Sequence, residues 1–134
     1  MQGSHGNEGV SFRALRTLLE SGDSVSRSTE LTLCAVEIHR ESIYDLLSGS
    51  LPAADIRPKD DKLDLRVGAE GVHVAGLSQH KLTSVAQAMQ LLSAAAAARA
   101  QARTDMNEVS SRSHCVVTVS AVTTNMVTGQ RATG

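Results

Sequence analysis

The sequence predicts an α/β domain, and three observations carry that reading. Two runs rich in β-branched and apolar residues, Glu30–Arg40 and Cys115–Val122, have strand character. The segment from Ser84 through the alanines Ala94–Ala98 repeats its apolar residues at helical spacing. Between them, Leu63–Val67 and Val72–Ala75 alternate around Gly68–Gly71, the pattern of a small antiparallel hairpin.

Each element follows in chain order. Phe12, Leu15, Leu18 and Leu19 fall on one stripe, with Arg13, Arg16 and Thr17 opposite, so a short amphipathic helix is expected to end near Ser21-Gly22. In Glu30–Arg40 the period becomes two: Leu31, Leu33 and Ala35 share one face, and Thr32, Cys34, Val36 and Ile38 the other. With both faces largely apolar, this is an interior strand. Ser42–Leu47 reads as a brief helical turn. Ser48–Asp61 carries Gly49, Pro52, Pro58 and a cluster of charges without apolar periodicity, which marks a surface loop. Ser84 with Gln87 three residues on is a capping box for a helix presenting Val85, Ala88, Met89, Leu92 and Ala96. Gln101–His114 is polar, Cys115–Val122 is a strand, and Asn125–Gly129 is a turn. No internal repeat is present.

The chain of 134 residues has room for one core and not for two. Hydrophobic residues make up 41% and charged residues 20%, a balance that folds. Thirteen Lys and Arg against 14 Asp and Glu leave a net charge of −1, so no global field draws the chain to nucleic acid or anionic lipid. Phe12 and Tyr44 are the only aromatics, which argues against a base-stacking surface and hence against a nucleic-acid partner. Cys34 and Cys115 lie in apolar runs without C-x-x-C spacing and read as buried, reduced thiols of an intracellular protein. No apolar stretch follows a basic one at the start, and Leu82–Ala98 falls short of a membrane span, so no signal peptide and no membrane insertion are expected.

The stretch able to carry chemistry is Asn107-Glu-Val-Ser-Ser-Arg-Ser-His114, a polar segment between a long helix and an apolar strand. Its hydroxyls, amide and guanidinium suit phosphate oxygens or a hard cation, and they suit equally a helix end and a solvated turn. A hydrolase pairing of Ser111 or Ser113 with His114 is disfavoured, because adjacent strand residues face opposite ways and no Asp is placed to orient the imidazole. The histidines and cysteines make no close zinc pair. Arg112-Ser113 and Arg27-Ser28 are basic-flanked serines of a kind that kinases modify.

Asn107-x-x-Ser110-Ser111-Arg112-Ser113-His114 resembles the switch I signature of kinesin motor domains. The likeness extends along nearly the whole chain. Val36-Glu-Ile-His-Arg-Glu-Ser-Ile-Tyr-Asp-Leu-Leu47 is similar to the family's E-I-Y-N-E-x-x-x-D-L-L strand, Val74-Ala-Gly-Leu77 to its V-x-G-L segment, and Gly9–Leu15 to its G-[IV]-x-x-R-A-L helix. Thr128–Gly134 is closest to the C-terminal-motor, minus-end-directed kinesins.

The resemblance implies the central portion of a P-loop NTPase-type, three-layer α/β/α domain, residues 1–134 forming one incomplete motor domain. It implies part of a microtubule motor that couples ATP binding and hydrolysis to movement, with ATP and Mg²⁺ as its cofactors. Asn107 would contact the phosphates, Ser110 the γ-phosphate or its attacking water, and Ser111 the Mg²⁺ ion. Arg112 would pair with a switch II glutamate, making Ser110 and Arg112 the catalytic candidates. His80 and Lys81 would face the microtubule. A dimer through a coiled coil elsewhere and a place on cytoplasmic microtubules complete the expectation.

Departures from the pattern shape a second reading. The family's G-x-x-N-R before switch I would put Gly at Ala95 and Asn at Ala98, and only Arg99 agrees. No G-x-x-x-x-G-K-[ST] and no D-x-x-G occurs, so these residues alone are expected to turn over no ATP even where the whole motor is a microtubule-stimulated ATPase. The alternative is a non-catalytic kinesin-like module or isoform that binds tubulin or another protein.

Overall fold

The computed structural model describes residues 3–4, 7–21, 26–48, 62–69, 71–104 and 113–134. In chain order its elements are β1 (Gly3–Ser4), β2 (Asn7–Glu8), α1 (Val10–Ser21), β3 (Arg27–His39), β4 (Ser42–Asp45), β5 (Lys62–Leu63), β6 (Leu65–Gly68), β7 (Gly71–Val74), β8 (His80–Leu82), α2 (Val85–Thr104), β9 (Ser113–Asn125) and β10 (Arg131–Thr133). Strands and two helices are mixed as the α/β reading expects. The loop expected over Ser48–Asp61 lies, from residue 49 on, outside the described residues.

The chain divides into two compact units, the first formed by Met1–Leu33, His80–Gln90 and Val119–Gly134. Within it β3 sits between β9 and β8, as an interior strand should. The β8 register pairs Leu31 with Leu82, Thr32 with Lys81 and Leu33 with His80, and all three leucines are buried. Burial of each such side chain contributes about 1.5–3 kcal/mol. From α1, Leu15 joins the buried set, while Leu18, expected on the same stripe, is 43% exposed.

Two local devices in this unit follow from short polar side chains. Ser84 Oγ accepts the Gln87 N–H at 3.2 Å, as the capping box predicts. The Gln87 side chain, however, accepts from Thr83, from both its N–H and its hydroxyl at 2.9 Å, instead of returning to Ser84. After β9, Asn125 Oδ1 accepts the N–H groups of Val127 and Thr128, and Gly129 adopts φ 72, a left-handed conformation that glycine takes without a Cβ clash. The predicted turn is there, and it returns the chain as β10, paired antiparallel with β9 through Arg131 and Thr124.

The second unit comprises Cys34–Gln79 and Leu91–Thr118. Its centre is the β3–β4 hairpin, with Val36 opposite Asp45 and His39 opposite Ser42. This corrects the helical turn expected over Ser42–Leu47: Ser42–Asp45 is a strand, with Ile43 and Asp45 buried on alternate positions. The cause is the two-residue connection. Arg40 and Glu41 take φ 48 and φ 64, the left-handed pair that matches the twist of two antiparallel strands. Propensity in I-Y-D-L-L yields to that long-range pairing.

Beyond β4, Leu63 pairs with Ile43, so the expected Leu63–Val67 strand is divided at Asp64 between β5 and β6. The hairpin itself forms as predicted, with Leu65 opposite Val74 and Val67 opposite Val72. Leu65, Val67 and Val72 are exposed. The Asp45 carboxylate, 6% exposed, accepts the Leu47 N–H on Oδ1 and the Ser78 N–H on Oδ2, each at 2.8 Å. It thereby fastens the end of β4 to the segment following β7. Leu92 and Ala95 supply the buried positions of α2 in this unit, in place of the expected Ala96.

Candidate functional site

The polar stretch singled out in the sequence runs between α2 and β9. Asn107, Ser110, Ser111 and Arg112 lie outside the described residues. The residues that flank them are described. Ser113 is the first residue of β9, as expected for the start of the strand, and Arg99 lies in the last part of α2.

These two meet at a third residue that the sequence did not single out. Glu37 of β3 is 2% exposed. Its Oε1 accepts the Ser113 hydroxyl at 2.5 Å. Arg99 Nη2 donates to the Ser113 carbonyl at 3.1 Å, and Arg99 Nε lies 3.7 Å from Glu37 Oε1. Among the described residues Arg99 Nε finds no hydrogen-bond acceptor. Glu37 was legible as the one carboxylate on the Leu31, Leu33, Ala35 face of an apolar strand, a position where a charge stays buried only with partners.

This arrangement assigns Ser113 a structural role. Its hydroxyl is committed to Glu37, which leaves no support for a hydrolase pairing with the exposed His114 or for modification at Arg112-Ser113. Cys115, two residues further along β9, is solvent-exposed, contrary to the buried thiol expected. Partial burial nonetheless pushes its thiol pKa up; Arg99 opposes that shift and Glu37 adds to it. Cys34 is half-buried, with Sγ 3.9 Å from the Thr118 carbonyl, and its thiol is likewise pushed up by desolvation.

The expected microtubule-facing pair lies on β8. Lys81 is exposed, yet its Nζ forms an ion pair with Glu30 Oε1 at 2.5 Å, so its charge is shared within the chain. The bond to Lys81 draws the Glu30 carboxyl below its ordinary pKa. His80 keeps a buried Nε2 with no hydrogen-bond partner among the described residues.

Among the described residues no group of three His, Cys, Asp or Glu side chains is placed to hold a metal ion. The oxygen donors of Asn107, Ser110 and Ser111 are neutral. They fit Mg²⁺ as a single protein ligand to an ion that phosphate oxygens mostly coordinate, and do not fit a free-standing metal cage. No helix among the described residues is long and apolar enough to cross a membrane.

Comparison with known proteins places this fold. A solved chain described as "Structure of a fast kinesin: Implications for ATPase mechanism and interactions with microtubules" superposes with a TM-score of 0.84 at 27% identity, over 100% of this chain and 36% of that one. The fold is therefore the α/β fold of a cytoskeletal motor. More particularly, a model of the kinesin motor domain matches residues 1–134, and the chain belongs to that family. Among its relatives are Kinesin-like protein KIN-14S of Arabidopsis thaliana, 34% identical over 134 residues, and Kinesin-like protein KIFC2 of Homo sapiens, 34% identical over 122 residues. The alignments cover 98% and 89% of this chain, but 17% and 14% of those relatives. The several KIN-14 relatives accord with the resemblance to C-terminal-motor kinesins.

Proposed function

We propose that this chain supplies the switch I part of a microtubule motor that couples ATP hydrolysis to movement. The observation that supports it most is the family match over residues 1–134, with residues 107–112 of the signature falling between α2 and β9 and Ser113-His114 opening β9. In this reading Asn107 contacts nucleotide phosphates, Ser110 orients the γ-phosphate or the attacking water, and Ser111 gives one oxygen to the nucleotide's Mg²⁺. Mg²⁺ supplies charge neutralisation of the phosphates when bound. Arg112 pairs with a glutamate that these 134 residues do not contribute, a contact that orders a switch around the γ-phosphate and releases it after hydrolysis. Tubulin is the partner, met in this reading by the exposed Lys81 of β8, while His80, on the opposite face of the strand, keeps its Nε2 buried; cytoplasmic microtubules are the site of action. Dimerisation, in this reading, belongs to a coiled coil outside these residues.

Phosphoryl transfer depends on positioned phosphate, metal and water. The sequence holds no G-x-x-x-x-G-K-[ST], so the 134 residues by themselves are predicted to show no microtubule-stimulated turnover. The test is a hybrid motor in which they replace the aligned segment of a kinesin. Turnover that disappears on Asn107→Ala supports the reading. A folded hybrid that turns over equally with and without Asn107 contradicts it.

A further inference from the structure

Burying a carboxylate at 2% exposure is costly unless charged and hydrogen-bonding partners surround it. Glu37 meets that requirement with residues from the two elements that flank the switch I signature. The Ser113 hydroxyl donates to Oε1, Arg99 Nε faces the same oxygen at 3.7 Å, and Arg99 Nη2 closes the triangle on the Ser113 carbonyl. Strand β3, helix α2 and strand β9 are thus tied at one point, although Ser113 is 76 residues from Glu37 in the chain.

We propose that Glu37 is a positioning residue. Through Ser113 and Arg99 it latches the first residue of β9 to α2 and fixes the anchor from which the Asn107–Arg112 residues are presented. The inference rests on reading those residues as switch I. A solvated end would not need this arrangement: the Ser113 backbone is held by one partner and its side chain by another, and both contacts converge on a single buried charge. Arg99 is also the one position of the family's G-x-x-N-R pattern that this chain keeps. Ala95 and Ala98 replace the Gly and Asn, while the arginine that is kept reaches both Glu37 and Ser113.

The test is hydrogen–deuterium exchange of the full chain, read at the amides of Ser113–Val117 and corrected for intrinsic rates. Ser113→Ala is expected to raise exchange there by about tenfold, since a hydrogen bond to a charged group is lost. Ser113→Thr, which keeps the hydroxyl, is expected to restore the original rates. Unchanged exchange in Ser113→Ala, or failure of Ser113→Thr to restore it, overturns the latch. Glu37→Gln is expected to loosen the same amides, and Ser113→Ala keeps the test decisive if that variant does not fold. Exchange needs no nucleotide, so its failure sinks the latch alone, whereas failure of the hybrid motor sinks the reading of the site.

Discussion

The carboxylate of Asp45 holds the backbone of Ser78, 33 residues away, by an N–H···Oδ2 bond of 2.8 Å, while its other oxygen holds Leu47. Both oxygens of a nearly buried acid are therefore used on main-chain donors. Asp45→Asn presents an NH₂ group to one of those donors and is expected to cost about 2 kcal/mol, with Asp45→Ala at least as harmful. Urea denaturation measures it. A change under a few tenths of a kcal/mol would show that the clamp contributes nothing.

The β3–β4 turn carries a removable strain. Glu41 is an exposed residue at φ 64, in a conformation that costs a residue with a Cβ roughly 1 kcal/mol and glycine almost nothing. Glu41→Gly is predicted to stabilise the hairpin by about 1 kcal/mol, and Glu41→Val to destabilise it. A fall in melting temperature for the glycine variant would contradict this account of the turn.

Both thiols are pushed above the ordinary cysteine pKa, chiefly by desolvation. The thiolate is the nucleophile, so alkylation of the folded chain at pH 8 is predicted to be slow and to rise at a higher pH than for free cysteine. The linkage has a definite sign. A folded pKa above the unfolded one contributes stability that is complete below the unfolded value and is lost as pH rises through the folded value. Rate profiles for iodoacetamide labelling that coincide with those of free cysteine would refute the shifts.

Glu30 behaves in the opposite direction. Its hydrogen bond and ion pair with Lys81 lower its pKa, so the stabilisation is present above the unfolded carboxyl value and fades as pH falls through the folded one. NMR titration is expected to find the Glu30 carboxyl below the usual glutamate range, and back within it in Lys81→Met or at high salt. A carboxyl that titrates normally in the unaltered chain would show that the pair is not formed in solution.

Much of this fold is written in local periodicity. Alternation located β3 and the β6–β7 hairpin, a β-branched run located β9, and helical spacing located α1 and α2; a buried face stands behind β3 and the helices, whereas Leu65, Val67 and Val72 of the hairpin stay exposed. The misreadings share one cause. Ser42–Leu47 has helix-compatible spacing, and only pairing with β3 makes it a strand. The short strands β8 and β10, three residues each, exist through their partners and have too few residues to show a period. The site divides in the same way. The switch I signature is legible because six specified residues recur at fixed spacing over a span of eight, whereas Glu37 reaches Ser113 across 76 residues, and no local pattern reports that contact.

The central claim is that Asn107, Ser110 and Ser111 sense a nucleotide in a microtubule motor. It is tested most directly by microtubule-stimulated ATP turnover of the hybrid motor, with thermal melting confirming that each variant is folded. The account predicts turnover in the unsubstituted hybrid, a fall of at least about a hundredfold in kcat for Asn107→Ala or Ser111→Ala, and an unchanged melting temperature. A folded hybrid whose turnover is indifferent to both substitutions would contradict it.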